Sequence, residues 1–128
     1  IYGYLDGQCP KSLDDQAVVF TTCHNDLNPW NVIVTEARWE TIDWEFVGNH
    51  DPLFDLITLH QGLNLPAEEL FEMCPELDPK STRTRIEANI KNYWLREGGW
   101  AKYQIQQGNN REEIRTQLEN AQAKVDAL

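Results

Sequence analysis

The sequence predicts an α+β fold, mainly helical, with a small β-hairpin platform near the start and about four helices after it. Three observations predict this. Short β-branched and aromatic runs, Val18-Val19-Phe20, Val32-Ile33-Val34 and a third ending in Ile42-Asp43-Trp44-Glu45, cluster before residue 47; such runs between turn residues read as strands. From Asp51 onward apolar residues recur at spacings of three and four, the period of a helix with one buried face. A hydrophobic content of 41% with five Trp in 128 residues marks a folded chain long enough to bury a core. The chain reads as one domain over 1–128, with the hairpin part at 18–46 and the helical part at 51–128.

Taken in order, Tyr2-Gly-Tyr-Leu-Asp-Gly7 suits a turn, and Ser12 or Asp14 can cap a brief helical turn. Gly48-Asn49-His50 reads as a loop. Asp51-Pro52 reads as an N-cap and first helical residue, opening a helix over 52–61 that carries Leu53, Leu56, Ile57 and His60 and ends at Gly62. Pro66 opens a second helix with Glu68 and Glu69 in its first turn, where carboxylates suit the helix dipole; it carries Leu70, Phe71 and Met73 and stops before Pro75. Asp78-Pro79 precedes a long segment over 80–107, with Ile86, Ile90, Tyr93 and Trp94 as its buried stripe. Gly98-Gly99 predicts a kink or break, each Gly costing a helix about 1 kcal/mol relative to Ala. Gly108-Asn109-Asn110 is a stop. The last helix, 111–128, shows a narrow apolar face of Ile114, Leu118, Ala121, Val125 and Leu128.

Composition narrows the function. A formal charge of -10 disfavours nucleic acid and anionic membranes, which call for Lys and Arg, and suits a cationic small molecule. No apolar run approaches the ~20 residues of a membrane helix, and no signal peptide is visible. Cys9, Cys23 and Cys74 are odd in number and scattered, which predicts reduced thiols in a cytoplasmic protein. A zinc site drawn from them with His24, His50 and His60 lacks any paired Cys-x-x-Cys.

The residues that speak of chemistry lie between 20 and 46. A loop between two strand runs gathers His24, Asp26 and Asn31, and Asp43 and Glu45 follow about one hairpin later. Hard oxygen donors of this kind suit magnesium, which takes one or two carboxylates together with substrate phosphates. The plain alternative is that Asp26, Asn28 and Asn31 only shape a turn, as Asx residues often do. Strand alternation predicts that Asp43 and Glu45 share a face and that Trp44 turns away from both.

His24-x-Asp26 with Asn31 five residues on has the frame of the kinase catalytic loop. The fuller strings His24-Asn-Asp-Leu-Asn-Pro-Trp-Asn31, Ile42-Asp-Trp-Glu-Phe46 and Asp51-Pro-Leu-Phe-Asp-Leu56 resemble the choline/ethanolamine kinase and aminoglycoside phosphotransferase superfamily, closest to the choline and ethanolamine kinases. The clear resemblance covers 18 to about 60.

The resemblance implies the C-terminal lobe of a protein-kinase-like fold that transfers phosphoryl from ATP, with Mg2+, to the hydroxyl of a small molecule. Asp26 would be the base or hydroxyl-orienting group, with His24 and Asp55 supporting the loop. Asn31 and Asp43 would be metal ligands, and Glu45 would either join the metal site or approach the substrate. Choline kinases use aromatic faces in their C-terminal helices, so Trp94, Trp100 and Tyr103, with Trp30 in the loop, are candidates for substrate binding; Trp and Tyr at helical spacing are equally the makings of a core. The chain begins with Ile and shows no Gly-rich phosphate loop or strand Lys, so it reads as a fragment, inactive alone and expected to need an N-terminal lobe or to self-associate. An aminoglycoside phosphotransferase and a non-catalytic pseudokinase-like binding module are the alternatives.

Overall fold

The computed structural model describes residues 20–128 apart from 76, 79 and 81. The expectations placed on Val18, Val19, Cys9, Ser12, Asp14 and the turn at 2–7 lie outside the described residues.

The strand-forming runs build two small antiparallel ladders. Strand β1 (Thr21–Cys23) pairs with β4 (Gly48–His50), and β2 (Val32–Val34) pairs with β3 (Trp39–Thr41). The registers are Cys23↔Gly48 in the outer ladder and Val32↔Thr41 in the inner one. The inner hairpin is therefore nested inside the outer pair. Two loops, 24–31 and 42–47, run side by side between the ladders, and Ile42 N–H donates to the Asn31 carbonyl at 3.0 Å. The expected loop at Gly48-Asn49-His50 is in fact β4. A strand with Gly and Asn carries no β signal of its own; its partner β1 imposes the extended form.

Helix α1 (Pro52–Gly62) starts as expected, with Asp51 Oδ1 accepting Leu53 N–H at 2.9 Å. It is buried on every side from Pro52 to His60, as a helix apolar nearly all round must be. Its buried polar groups all have partners. Thr58 Oγ1 donates to the Phe54 carbonyl, and the His60 ring meets the Pro66 carbonyl at 2.8 Å. Around α1 lie Cys23, Leu27, Leu70, Cys74, Leu77 and Ile86, the core of the first compact unit, which ends at Ile86. Helix α2 (Ala67–Met73) stops at Cys74, before Pro75. Arg85, in the first turn of α3 (Arg83–Gln106), makes a two-pronged ion pair with Asp51: Nε to Oδ2 at 2.7 Å and Nη2 to Oδ1.

The second unit, Glu87–Leu128, is a helical hairpin of α3 and α4 (Glu112–Asp126). Helix α3 runs unbroken through Gly98-Gly99, so the predicted break there is not formed. The reason is packing: a Cβ on Gly98 would stand 3.2 Å from the Ala121 Cβ on α4, while one on Gly99 would meet nothing within 4 Å. Gly98 is a contact surface for α4. Gly108, at φ +89°, ends α3 in a Schellman motif, with Asn109 N–H on the Gln104 carbonyl and Gly108 N–H on that of Ile105. Ile114 and Ala121 are the buried positions of α4.

Cys23 is free and buried, its thiol pushed up to about 11 by burial first and by the neighbouring Asp55 carboxylate second. Among the described residues, no helix is long and apolar enough to cross a membrane.

Candidate active site

The 24–31 loop is held by a buried carboxylate. Asp55, in the first turn of α1 and wholly buried, accepts His24 N–H at 2.7 Å through Oδ2 and Asn25 N–H at 2.8 Å through Oδ1. Two consecutive N–H groups can face one carboxylate because Asn25 adopts a left-handed conformation, φ 64°, which Asn tolerates better than most residues. Burial raises the Asp55 carboxyl above its ordinary value, and the two N–H donors offset part of that rise.

His24 ties the two loops together. Asp26 N–H donates to His24 Nδ1 at 3.2 Å, and His24 Nε2 lies 2.8 Å from the Ile42 carbonyl. Nδ1 must then accept and Nε2 must donate, which fixes the Nε2–H tautomer. With both nitrogens occupied, His24 orients the loop and has no lone pair to offer as a base. Asn25 adds a second tie, its amide donating to the Phe46 carbonyl at 2.9 Å.

Asp26 is held by amides. Asn31 Nδ2 donates to its carbonyl at 2.9 Å and to its Oδ2 at 3.1 Å, and Asn28 Nδ2 donates to the same Oδ2 at 3.3 Å. Asn28 also caps the short 3-10 turn Pro29–Asn31, accepting Trp30 N–H at 3.0 Å. Pro29 in turn lies against the end of α1, where a Cβ on Gly62 would come within 2.6 Å of Pro29 Cδ. With its amide nitrogen turned to Asp26, Asn31 keeps its Oδ1 as an acceptor.

Asp43 is placed differently from the expectation. Residues 42–44 are not strand, and Asp43 is left-handed at φ 63°, so strand alternation does not relate it to Glu45. Glu45 lies in the turn that follows, and both carboxylates are exposed with no hydrogen bond or ion pair among the described residues. Because Ile42 N–H bonds the Asn31 carbonyl, Asp43 follows directly on the residue paired with Asn31. Trp44 packs its ring 4.6 Å from that of His24 and donates Nε1–H to the Thr41 carbonyl. Among the described residues, no group of three or more His, Cys, Asp and Glu side chains is placed to hold a metal.

The aromatic candidates separate. Trp30 is 89% exposed. In the second unit Trp94 meets Tyr93 edge-on at 4.9 Å and has Lys124 Nζ 5.6 Å above its ring. It also borders a shallow cleft of about 470 Å³ with Glu112, Glu113 and Gln117. Tyr93 is buried, whereas Trp100 and Tyr103 are exposed, so helical spacing overstated the core. Two residues that shape the site had no signal of their own, Asn25 and Arg85. The run His24-Asn-Asp26 hid a left-handed residue, and nothing local marks Arg85 as the partner of Asp51.

The phosphotransferase enzyme family (APH) matches residues 5–103. The chain belongs to this family. Protein LicA of Haemophilus influenzae is 41% identical over 54 residues, 42% of this chain and 20% of that protein. Among solved structures, a choline/ethanolamine kinase family protein from Mesorhizobium loti superposes with a TM-score of 0.75 at 23% identity, over 98% of this chain and 44% of that one. Choline kinase LicA from Streptococcus pneumoniae gives 0.67 at 22% identity, over 99% and 46%. The fold is therefore that of these kinases, and the chain spans under half the length of the solved structures and about a fifth of the H. influenzae relative.

Proposed function

We propose that this chain supplies the catalytic loop of an ATP-dependent small-molecule phosphotransferase of the choline/ethanolamine kinase type. The observation that carries the reading is the Asp26 carboxylate, fixed by Asn31 and Asn28 on a loop clamped by Asp55. A carboxylate so held can orient an acceptor hydroxyl and take its proton, the role an Asp plays in this loop frame. The relatives named as choline kinases support an amino-alcohol acceptor, and the charge of -10 favours a cationic one.

The donor set fits magnesium. Asn31 Oδ1 and the unpartnered carboxylate of Asp43 are hard oxygen donors on neighbouring loops, and octahedral magnesium accepts few protein ligands. The ion would neutralise charge on the ATP phosphates. Asp26 orients the hydroxyl, and His24 and Asp55 keep the loop in register. Glu45, on the turn beyond Asp43, is left as an outer carboxylate. Exposed Ile33, Val34, Trp39, Ile42, Phe46 and Val47 support a further lobe of the complete enzyme over these loops.

Phosphoryl transfer from ATP to choline, ethanolamine, thiamine and aminoglycosides, with and without magnesium, tests the reading on the full-length protein. Magnesium-dependent transfer to choline or ethanolamine is the expected result. Transfer to aminoglycosides alone would move the substrate class, and transfer to none would leave a binding module.

A further inference from the structure

We propose that Arg85 is a positioning residue for phosphoryl transfer: through Asp51 it fixes the joint from which the loop of Asp26 and the loop of Asp43 are both held. The inference rests on the phosphotransferase reading above and adds a residue that acts through another.

Asp51 stands between β4 and α1, and both of its carboxylate oxygens are engaged. Oδ1 caps α1 by accepting Leu53 N–H at 2.9 Å and also takes Arg85 Nη2, while Oδ2 takes Arg85 Nε at 2.7 Å. Capping alone calls for no cation, since Ser, Thr or Asn performs it uncharged. The side chains of Arg85 and Asp51 are only 11% and 10% exposed, so the pair is largely closed off from water. There a planar guanidinium fork holds a carboxylate in one orientation, which a Lys ammonium does not. Arg85 is itself anchored, between Thr82, fully buried with Oγ1 on the Asp78 carbonyl, and Ile86 in the core.

Two lines of support for the site diverge from Asp51. Backward along the chain, His50 pairs with Thr21 in the outer ladder. Strand β1 then delivers the chain to His24, and β4 receives it from the 42–47 loop that carries Asp43. Forward, Asp55 lies in the first turn of α1 and accepts the N–H groups of His24 and Asn25. Arg85, Asp51, Asp55 and both loops belong to the first compact unit. A rotation of α1 about the joint would therefore move the Asp26 loop against the Asp43 loop. Misplacement of reacting groups by about 1 Å, caused by a change far from the chemistry, costs about 100-fold in rate.

The test uses the full-length phosphotransferase, with ATP and choline as substrates. Arg85→Met would strand the buried Asp51 charge and read chiefly stability, so Arg85→Lys, which keeps the charge and loses the fork, is the informative variant. Its kcat should fall about 10- to 100-fold with KM for ATP and for choline unchanged. An unchanged kcat, or a loss carried by KM alone, overturns the positioning role. Backbone hydrogen exchange reads the joint without turnover: His24 and Asn25 N–H should exchange faster in Arg85→Lys than in wild type, with the amides of α4 unchanged. That result in a protein that transfers no phosphoryl group would overturn the phosphotransferase reading alone. Equal exchange at His24 and Asn25, or an acceleration that extends equally to α4, would overturn the positioning role alone.

Discussion

The buried carboxylate of Asp55 accepts the backbone N–H groups of His24 and Asn25, at 2.7 and 2.8 Å, across 31 and 30 residues of sequence. One side chain of α1 thereby sets the entry of the loop that carries Asp26. Asp55→Ala would leave two donors unsatisfied, at roughly 1–3 kcal/mol each. The variant should lose stability by urea denaturation and lose turnover beyond what its folded fraction explains.

The same carboxyl gives a pH dependence of defined sign. Its value is raised by burial above the ordinary 3.8, so its neutral form is favoured by folding. The stability linked to its titration is full below 3.8 and is lost as pH rises through the raised value. Asp55→Asn has no such titration. The stability gap between wild type and Asp55→Asn should therefore narrow as pH rises from about 3.5 to about 7. A gap that widens over this interval would show that the two N–H donors outweigh burial.

Gly62 separates helix propensity from loop geometry. On propensity alone Gly62→Ala should stabilise α1 by about 1 kcal/mol. The added Cβ would stand 2.6 Å from Pro29 Cδ, a ring that cannot rotate away, so net destabilisation of about 1–3 kcal/mol is expected. Thermal unfolding reads the sign, and a raised Tm would mean that the loop yields without cost.

The paired glycines of α3 make a second contrast. Gly99→Ala, with nothing near its Cβ, should raise stability by about 1 kcal/mol, whereas Gly98→Val should lower it by pressing on Ala121. Denaturant midpoints of the two variants should move in opposite directions.

These two glycines also show what was legible in the sequence. Propensity reads them alike and predicts a break; the structure distinguishes them because α4 packs on one and not the other. Helix starts and stops were legible where one residue decides them, as at Asp51, Pro52 and Gly108. The inner hairpin was legible in Val32-Ile33-Val34. Strand β4 was not, because Gly48-Asn49-His50 is extended only through pairing with β1. In the site, the spacing of His24, Asp26 and Asn31 singled out one loop. The left-handed turns at Asn25 and Asp43 were hidden, since Asn and Asp enter that region without any sequence mark. The alternation rule then failed between Asp43 and Glu45. The ion pair of Asp51 with Arg85 depends on tertiary proximity, which no local pattern carries.

The central claim is that Asp26 orients and deprotonates the acceptor hydroxyl, and single-turnover phosphoryl transfer from ATP to choline by Asp26→Asn in the full-length enzyme tests it most directly. Asn keeps the shape and can still accept from Asn31, so ATP binding should be unchanged. The transfer rate should fall by about 100-fold or more. Transfer at near the wild-type rate in a variant that binds ATP normally would contradict the account.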